Sequence, residues 1–200
     1  MSSNEKKIYD SLIADFPMAL QPISLLSKNT SANKCFVMSD ELAFNFDLIN
    51  NLCSSLSGHK EKSPDALFLH NDTLYFIEFK EGDYDKQDVR LKIHEAIITL
   101  YHFAINNNLI IKDDFLNIKI KYAVIIRHRN KGSPTLSFLN TLEATTNYFN
   151  LKNIEGLMIE ATNVVFQPES ILKLLRKISN GAVKQIGIMD KLQANIVPYS

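Results

Sequence analysis

Asp65, Glu78 and Lys80 are the residues of this chain whose types and spacing are suited to chemistry. They bracket the segment PDALFLHNDTLYFIEFK, residues 64–80. Two apolar runs, ALFL and LYFI, flank a polar break at His70-Asn71-Asp72-Thr73. Aromatic and branched residues bounded by turn formers read as a β-hairpin. Alternation along a strand places Glu78 and Lys80 on one face with Leu74 and Phe76, and Tyr75, Ile77 and Phe79 on the other. A turn centred on Asn71-Asp72 sets Asp65 across from Glu78. Two facing carboxylates repel, and each raises the other's pKa. A hard cation between them relieves the repulsion, and Mg²⁺ is commonly held by one or two carboxylates plus water. A lysine beside such an ion can orient a water or stabilise developing negative charge. These are the parts needed for metal-assisted phosphodiester hydrolysis. The same residues also suit a turn acid followed by a solvated strand face. Against that, Glu78 lies inside an apolar run, where a charge is usually partnered or functional.

The segment resembles the PD-(D/E)xK nuclease superfamily, which includes many restriction endonucleases. Pro64-Asp65 matches the PD half, and Glu78-Phe79-Lys80 matches the ExK half. The resemblance implies a restriction-endonuclease-like α/β core, with a central mixed sheet flanked by helices, in the order α-β-β-β-α-β. It implies Asp65 and Glu78 as Mg²⁺ ligands, with Mn²⁺ able to substitute, and Lys80 as the residue that activates water. Many members add an acid from the first core helix, for which Glu41 and Asp47 are the candidates. The expected activity is a Mg²⁺-dependent nuclease, with DNA ahead of RNA as substrate, in defence, mobile-element or repair work. The expected partner is nucleic acid, with a homodimer or a protein partner supplying specificity. The alternative is an inactive nuclease-like fold serving as an interaction or immunity module.

The elements that must position these residues can be read from periodicity. Residues 5–16 form a short amphipathic helix, and 17–34 read as loop. A helix is expected from about residue 40 to 56, with Leu42, Phe46, Ile49, Cys53 and Leu56 as its apolar stripe. Glu41 would flank that stripe, and Asp47 would lie nearly opposite it. The expected helix leaves no room for a first core strand before Pro64, unless KCFVM, residues 34–38, supplies it. A long helix runs from 86 to about 106, with Val89, Ile93, Ala96, Ile97, Leu100 and Ala104 on its apolar side. A strand at 117–127 follows, and a helix across that crossover implies parallel pairing with the hairpin's second strand. Further expectations are a helix from 133 to 147, a strand or hairpin at 157–166 and a helix from 168 to 178. The tail from 181 to 200 is ambiguous. The whole reads as one domain, with a nuclease-like core at 40–128, a helical extension at 1–34 and an α/β elaboration at 133–200.

Nucleic-acid contacts are expected from Arg90 and His94 on the long helix, and from a basic loop carrying Arg127, Arg129 and Lys131. Lys173, Arg176 and Lys177 form a second basic cluster. Lys92 and Glu95 read as solvent-facing, and Glu81 as a solvated or capping acid. The formal net charge is zero, where dedicated nucleic-acid binders are usually basic, so a local patch must carry any such role. The composition, 46% hydrophobic and 22% charged, is that of an ordinary globular protein. No run is long enough to span a bilayer, so no membrane role is expected. Cys35 and Cys53 are too few for a disulfide framework and suit a reducing cytoplasm. There is no Gly-rich phosphate loop and no zinc-site spacing.

Overall fold

A computed structural model of the protein describes residues 2–28, 35–49, 61–81, 85–127, 149–156, 158–189 and 196–200. The expected helix at 133–147 lies outside these residues. The chain builds a mixed α/β fold around a six-stranded sheet.

Chain order begins with helix α1 (Asn4–Asp15) and edge strand β1 (Leu20–Pro22). A short helix α2 (Ile23–Leu26) and strands β2 (Val37–Met38) and β3 (Leu42–Asn45) follow. The hairpin is β4 (Ala66–Leu69) and β5 (Leu74–Lys80). Next come helices α3 (Lys86–Asn106) and α4 (Lys112–Phe115) and strand β6 (Ile120–Ile126). Strand β7 (Ile159–Val165), helix α5 (Pro168–Ile178) and strands β8 (Ile186–Met189) and β9 (Ile196–Tyr199) complete the described chain. The main sheet has the order β1-β3-β4-β5-β6-β7, and β2, β8 and β9 make a second, three-stranded sheet. Pairing is antiparallel from β1 to β5 and parallel from β5 to β7. Helix α3 spans the connection between the parallel strands β5 and β6, as a parallel pairing requires.

Both faces of the main sheet are covered. Leu74, Phe76, Tyr122 and Val124 face one core with Ile8 of α1 and Val89 and Ile93 of α3. Ile77, Phe79 and Ile125 face a second core with Ile171 and Leu175 of α5 and Ile186 of the small sheet. Two-sided burial explains why LYFIEF and YAVII are nearly continuous apolar runs.

The hairpin forms as expected. Asn71 and Asp72 both adopt positive φ, 47° and 50°. His70 and Thr73 exchange both backbone hydrogen bonds around them. Two successive left-handed residues in a two-residue loop twist in the same sense as the strands, which fixes the register. Ala66 pairs with Ile77, so the next position outward sets Asp65 against Glu78.

The expected helix from residue 40 to 56 is corrected. Leu42–Asn45 is a strand and Phe46–Leu48 a single 3₁₀ turn, while 50–56 lie outside the described residues. The stripe Leu42, Phe46 and Ile49 is compatible with a helix, but Ala43 and Phe44 are buried in opposite cores while Leu42 is exposed. A strand between two cores satisfies both neighbours, whereas a one-sided helix does not. This strand occupies the place before β4 for which the segment KCFVM was considered. KCFVM instead contributes β2 to the small sheet. The stretch 17–34 is also more than loop, since it holds the edge strand β1 and helix α2. The N-terminal segment and the segment after residue 133 both add strands to the main sheet, so they are integral to it. No helix among the described residues is long and apolar enough to cross a membrane.

Candidate functional site

The site sits where β4 begins and β5 ends, under the first turns of α3. Asp65 is held by its chain position and by one bond: its Oδ2 accepts the Phe79 N–H at 2.6 Å. The segment before it leans on α3. The Lys62 ammonium lies 2.5 Å from Asp88, and the Lys62 N–H donates to Glu95. Asp85 caps α3 by accepting the Gln87 N–H at 2.8 Å, which sets the helix start over the strand ends. Pro64 and Asp65 therefore enter β4 close against that helix.

Glu78 is completely buried. A carboxylate without water needs cations and donors of its own. It has two: Lys80 Nζ lies 2.5 Å from Glu78 Oε1, and Lys92 Nζ lies 2.7 and 2.9 Å from its two oxygens. The Lys92 ammonium is also 3.6 Å from Asp65 Oδ1. It thus stands between the two carboxylates. The expected convergence of Asp65, Glu78 and Lys80 is present. Asp65, Lys80 and Lys92 are each less than one-fifth exposed, so the cluster keeps a small share of its surface in solvent.

Asp47 belongs to the same neighbourhood. Phe46 packs edge-on against Phe76 with ring centroids 4.9 Å apart, which fixes the 3₁₀ turn carrying Asp47. The buried Ser63 hydroxyl donates to Asp47 Oδ1. Glu41 is not nearby. The chain from 42 to 45 is extended, at roughly 3.3 Å per residue, so Glu41 and Asp47 lie at opposite ends of β3. A helix would have kept them within two turns of each other.

Burial first, and then the charge of Glu78, push the Asp65 carboxyl from 3.8 up to about 8, against the pull of Lys92 and the Phe79 N–H. Asp47 adds a smaller push in the same direction. Burial alone would lower the Lys92 ammonium. The charges of Glu78, Asp65 and Asp47 and the hydrogen bond to Glu78 together outweigh it, and Lys92 stays above the ordinary lysine value. Beneath the cluster, Tyr122 donates its hydroxyl to the Val89 carbonyl at 3.0 Å. Burial and the two nearby acids keep that phenol protonated.

The donor set can be tested against a divalent ion. Among the described residues, no three His, Cys, Asp or Glu side chains group as a ready-made metal cage. What is present is a pair of hard oxygen donors with a positive charge already lodged between them. The neighbourhood holds the acids Asp47, Asp65 and Glu78 against the ammoniums of Lys80 and Lys92, so at neutral pH a proton on Asp65 completes the balance. The two carboxylates match the one or two that Mg²⁺ takes together with water, provided that Asp65 gives up its proton and the Lys92 ammonium moves off their oxygens.

The other expected site residues divide. Arg90 is half-buried on α3, with its Nε buried and lacking a hydrogen-bond partner, and His94 is exposed. His94 Nδ1 lies 2.9 Å from the Arg90 carbonyl, so it donates there. Arg127 is corrected: it is not on a basic surface loop. It is buried, and its guanidinium donates to the carbonyls of Met189 and Cys35, the latter at 3.0 Å. Its Nε lies 2.7 Å from Glu81, and it sits over the Phe36 ring at 4.7 Å. Arg127 joins the main sheet to the small one, and Glu81 is its counter-ion instead of a solvent-facing acid. Arg129 and Lys131 lie outside the described residues. Lys173 and Lys177 are exposed on α5, while Arg176 donates to the carbonyls of Val183 and Lys184.

Lys92 is the residue that the sequence reading placed in solvent. The signal was there: Lys92 stands three residues after Val89 and four before Ala96, on the buried side of α3. A lysine on that face needs an acid beneath it.

In comparisons with known proteins, no family model, no curated protein and no solved structure matches this chain.

Proposed function

We propose that this protein is a divalent-metal-dependent nuclease that hydrolyses phosphodiester bonds, with DNA as the preferred substrate over RNA. The observation that carries the reading is the convergence of Asp65, Glu78 and Lys80 at adjacent strand ends, with both carboxylates within 3.6 Å of a single cation. Support comes from the run β3, β4, β5, α3, β6 within the main sheet, which follows α1 once the intervening β1, α2 and β2 and the short α4 are set aside, and in which the acids stand at the start of the second of these strands and near the end of the third. That is the order the PD-(D/E)xK resemblance implies.

Asp65 and Glu78 would hold Mg²⁺ or Mn²⁺, with Asp47 beside them. The ion, when bound, supplies Lewis-acid stabilisation of phosphoryl charge and a more acidic water. Asp65 would give up its proton to become a ligand, and Glu78 lies between two lysine ammoniums. Lys80, fixed through Glu78, presents an ammonium to the attacking water or to the developing charge. Arg90, half-buried on the same helix as Lys92 with its Nε lacking a hydrogen-bond partner, is the residue proposed to meet a phosphate.

The test is Mn²⁺-supported cleavage of plasmid DNA, single-stranded DNA and structured RNA, with an EDTA control. Cleavage that EDTA abolishes and Asp65→Asn eliminates supports the reading. A protein that cuts none of the three substrates with bound Mn²⁺ overturns it.

Two observations favour a second reading, an inactive nuclease-like fold used as an interaction or immunity module. Lys92 already fills the space between the carboxylates, and the chain has no net charge. Thermal melts with and without ~10 mM metal separate the two: an ion that binds the native state with Kd below about 1 mM raises the Tm.

A further inference from the structure

We infer that Lys92 is a built-in competitor for the metal position: its ammonium keeps the metal-free site folded, and a divalent ion must displace it to bind. The inference rests on the nuclease reading of Asp65 and Glu78 and adds a residue that this reading does not require.

The geometry points to a placeholder and not to a passive surface lysine. Lys92 Nζ contacts both oxygens of a fully buried carboxylate, at 2.7 and 2.9 Å, and reaches Asp65 Oδ1 at 3.6 Å. It therefore takes up the oxygens that a metal would use. An ammonium and a divalent ion cannot share that space, because two cations a few ångströms apart away from bulk water repel strongly. Lys92 is also able to leave. Its side chain is 19% exposed, it comes from the helix and not from the strands, and its four-carbon stem is flexible. Lys80, by contrast, contacts Oε1 of Glu78 and comes from the same strand. When Lys92 leaves, Lys80 remains as a counter-ion of the buried glutamate. Two lysines on one buried acid are more than charge balance requires for Glu78 alone. The second becomes intelligible if it answers for Asp65 as well, in place of an ion.

The test uses the full chain and Mn²⁺ alone, without substrate. Isothermal titration compares wild type with Lys92→Met, which keeps the stem and removes the charge. The expected result is a Mn²⁺ affinity at least roughly tenfold tighter in the variant. A second measurement needs no variant. Reductive methylation of wild type, read by peptide mass spectrometry, should leave Lys92 protected without metal and reactive with saturating Mn²⁺, while exposed Lys173 reacts equally in both states. If wild type binds Mn²⁺ and Lys92 stays protected, the inference is overturned and the nuclease reading survives. If only Lys92→Met binds, the inference holds, and the wild-type site is one that its own lysine keeps closed. If neither protein binds Mn²⁺ at ~10 mM, both the inference and the metal-dependent reading fail.

Discussion

The Lys92 ammonium lies 2.7 Å from one oxygen of Glu78 and 2.9 Å from the other, and this pairing makes the two acids of the site unequal. Glu78 is a buried anion with two cations on it. Asp65 is a partly exposed acid that burial and its neighbours keep protonated up to about pH 8. Their symmetry in the sequence, two carboxylates on facing strands, is lost in the fold.

The first consequence is for Glu78→Gln. Removing one partner of a buried ion pair leaves uncompensated charge and costs about 3–5 kcal/mol. With Lys80 and Lys92 both stranded, the metal-free protein should lose stability on that scale. Urea denaturation at pH 7 measures it; a loss under about 1 kcal/mol would mean that both lysines find water instead.

Asp65→Asn should behave in the opposite way. The folded Asp65 holds its proton to about pH 8, while the unfolded chain releases it near 3.8. Between those values the folded state binds more protons, so this group's contribution to stability falls as pH rises through the window. Asparagine keeps an oxygen to accept the Phe79 N–H and cannot ionise. The variant should match wild type near pH 4 and exceed it at pH 8, in paired melts across that range. A wild-type stability that rises over the same window in step with this residue would sink the assignment.

The same proton links metal to pH. An ion bound by Asp65 must expel it below about pH 8, so metal affinity should rise as pH climbs from 5 to 8 and level off above. Titration calorimetry in buffers of different ionisation enthalpy counts the released protons. The expected count is near one at pH 6, and zero would mean that Asp65 is not a ligand.

Lys80→Ala tests catalysis apart from binding. If its ammonium acts on the transition state, cleavage should drop by about 100-fold or more, with Mn²⁺ affinity equal to or above wild type. Lys80→Arg should not rescue, because a planar guanidinium does not replace a compact ammonium. Equal cleavage by Lys80→Ala would remove the residue from the mechanism.

Arg127→Met probes the joint between the sheets. Arg127 is buried with Glu81, two carbonyls and the Phe36 ring around it. Its loss should destabilise the protein by about 3–5 kcal/mol, since Glu81 is left without its cation. Binding of nucleic acid by the folded fraction should keep its salt dependence, because no phosphate contact has gone. A shallower salt slope would return Arg127 to the nucleic-acid surface.

The sequence by itself determined what depends on neighbours along the chain. Asn71-Asp72 fixed the hairpin turn and so the opposition of Asp65 and Glu78. The apolar period of residues 86–106 fixed α3, and the continuous run YAVII marked a strand buried on both faces. Tertiary structure alone decided which charges meet. Leu42–Asn45 is a strand because two cores, built from distant segments, claim Ala43 and Phe44 from opposite sides, and a helical spacing of Leu42, Phe46 and Ile49 could not reveal that. That one change separates Glu41 from Asp47. Arg127 turns inward because the carbonyls of Cys35 and Met189, far from it in sequence, come to lie within its reach. Lys92 leaves solvent because α3 crosses the strand ends with that face down, over a glutamate that is fully buried. Local pattern sets which face of an element is apolar. The partner of a buried charge is set by packing, because only the assembled layers remove the water that would otherwise solvate it.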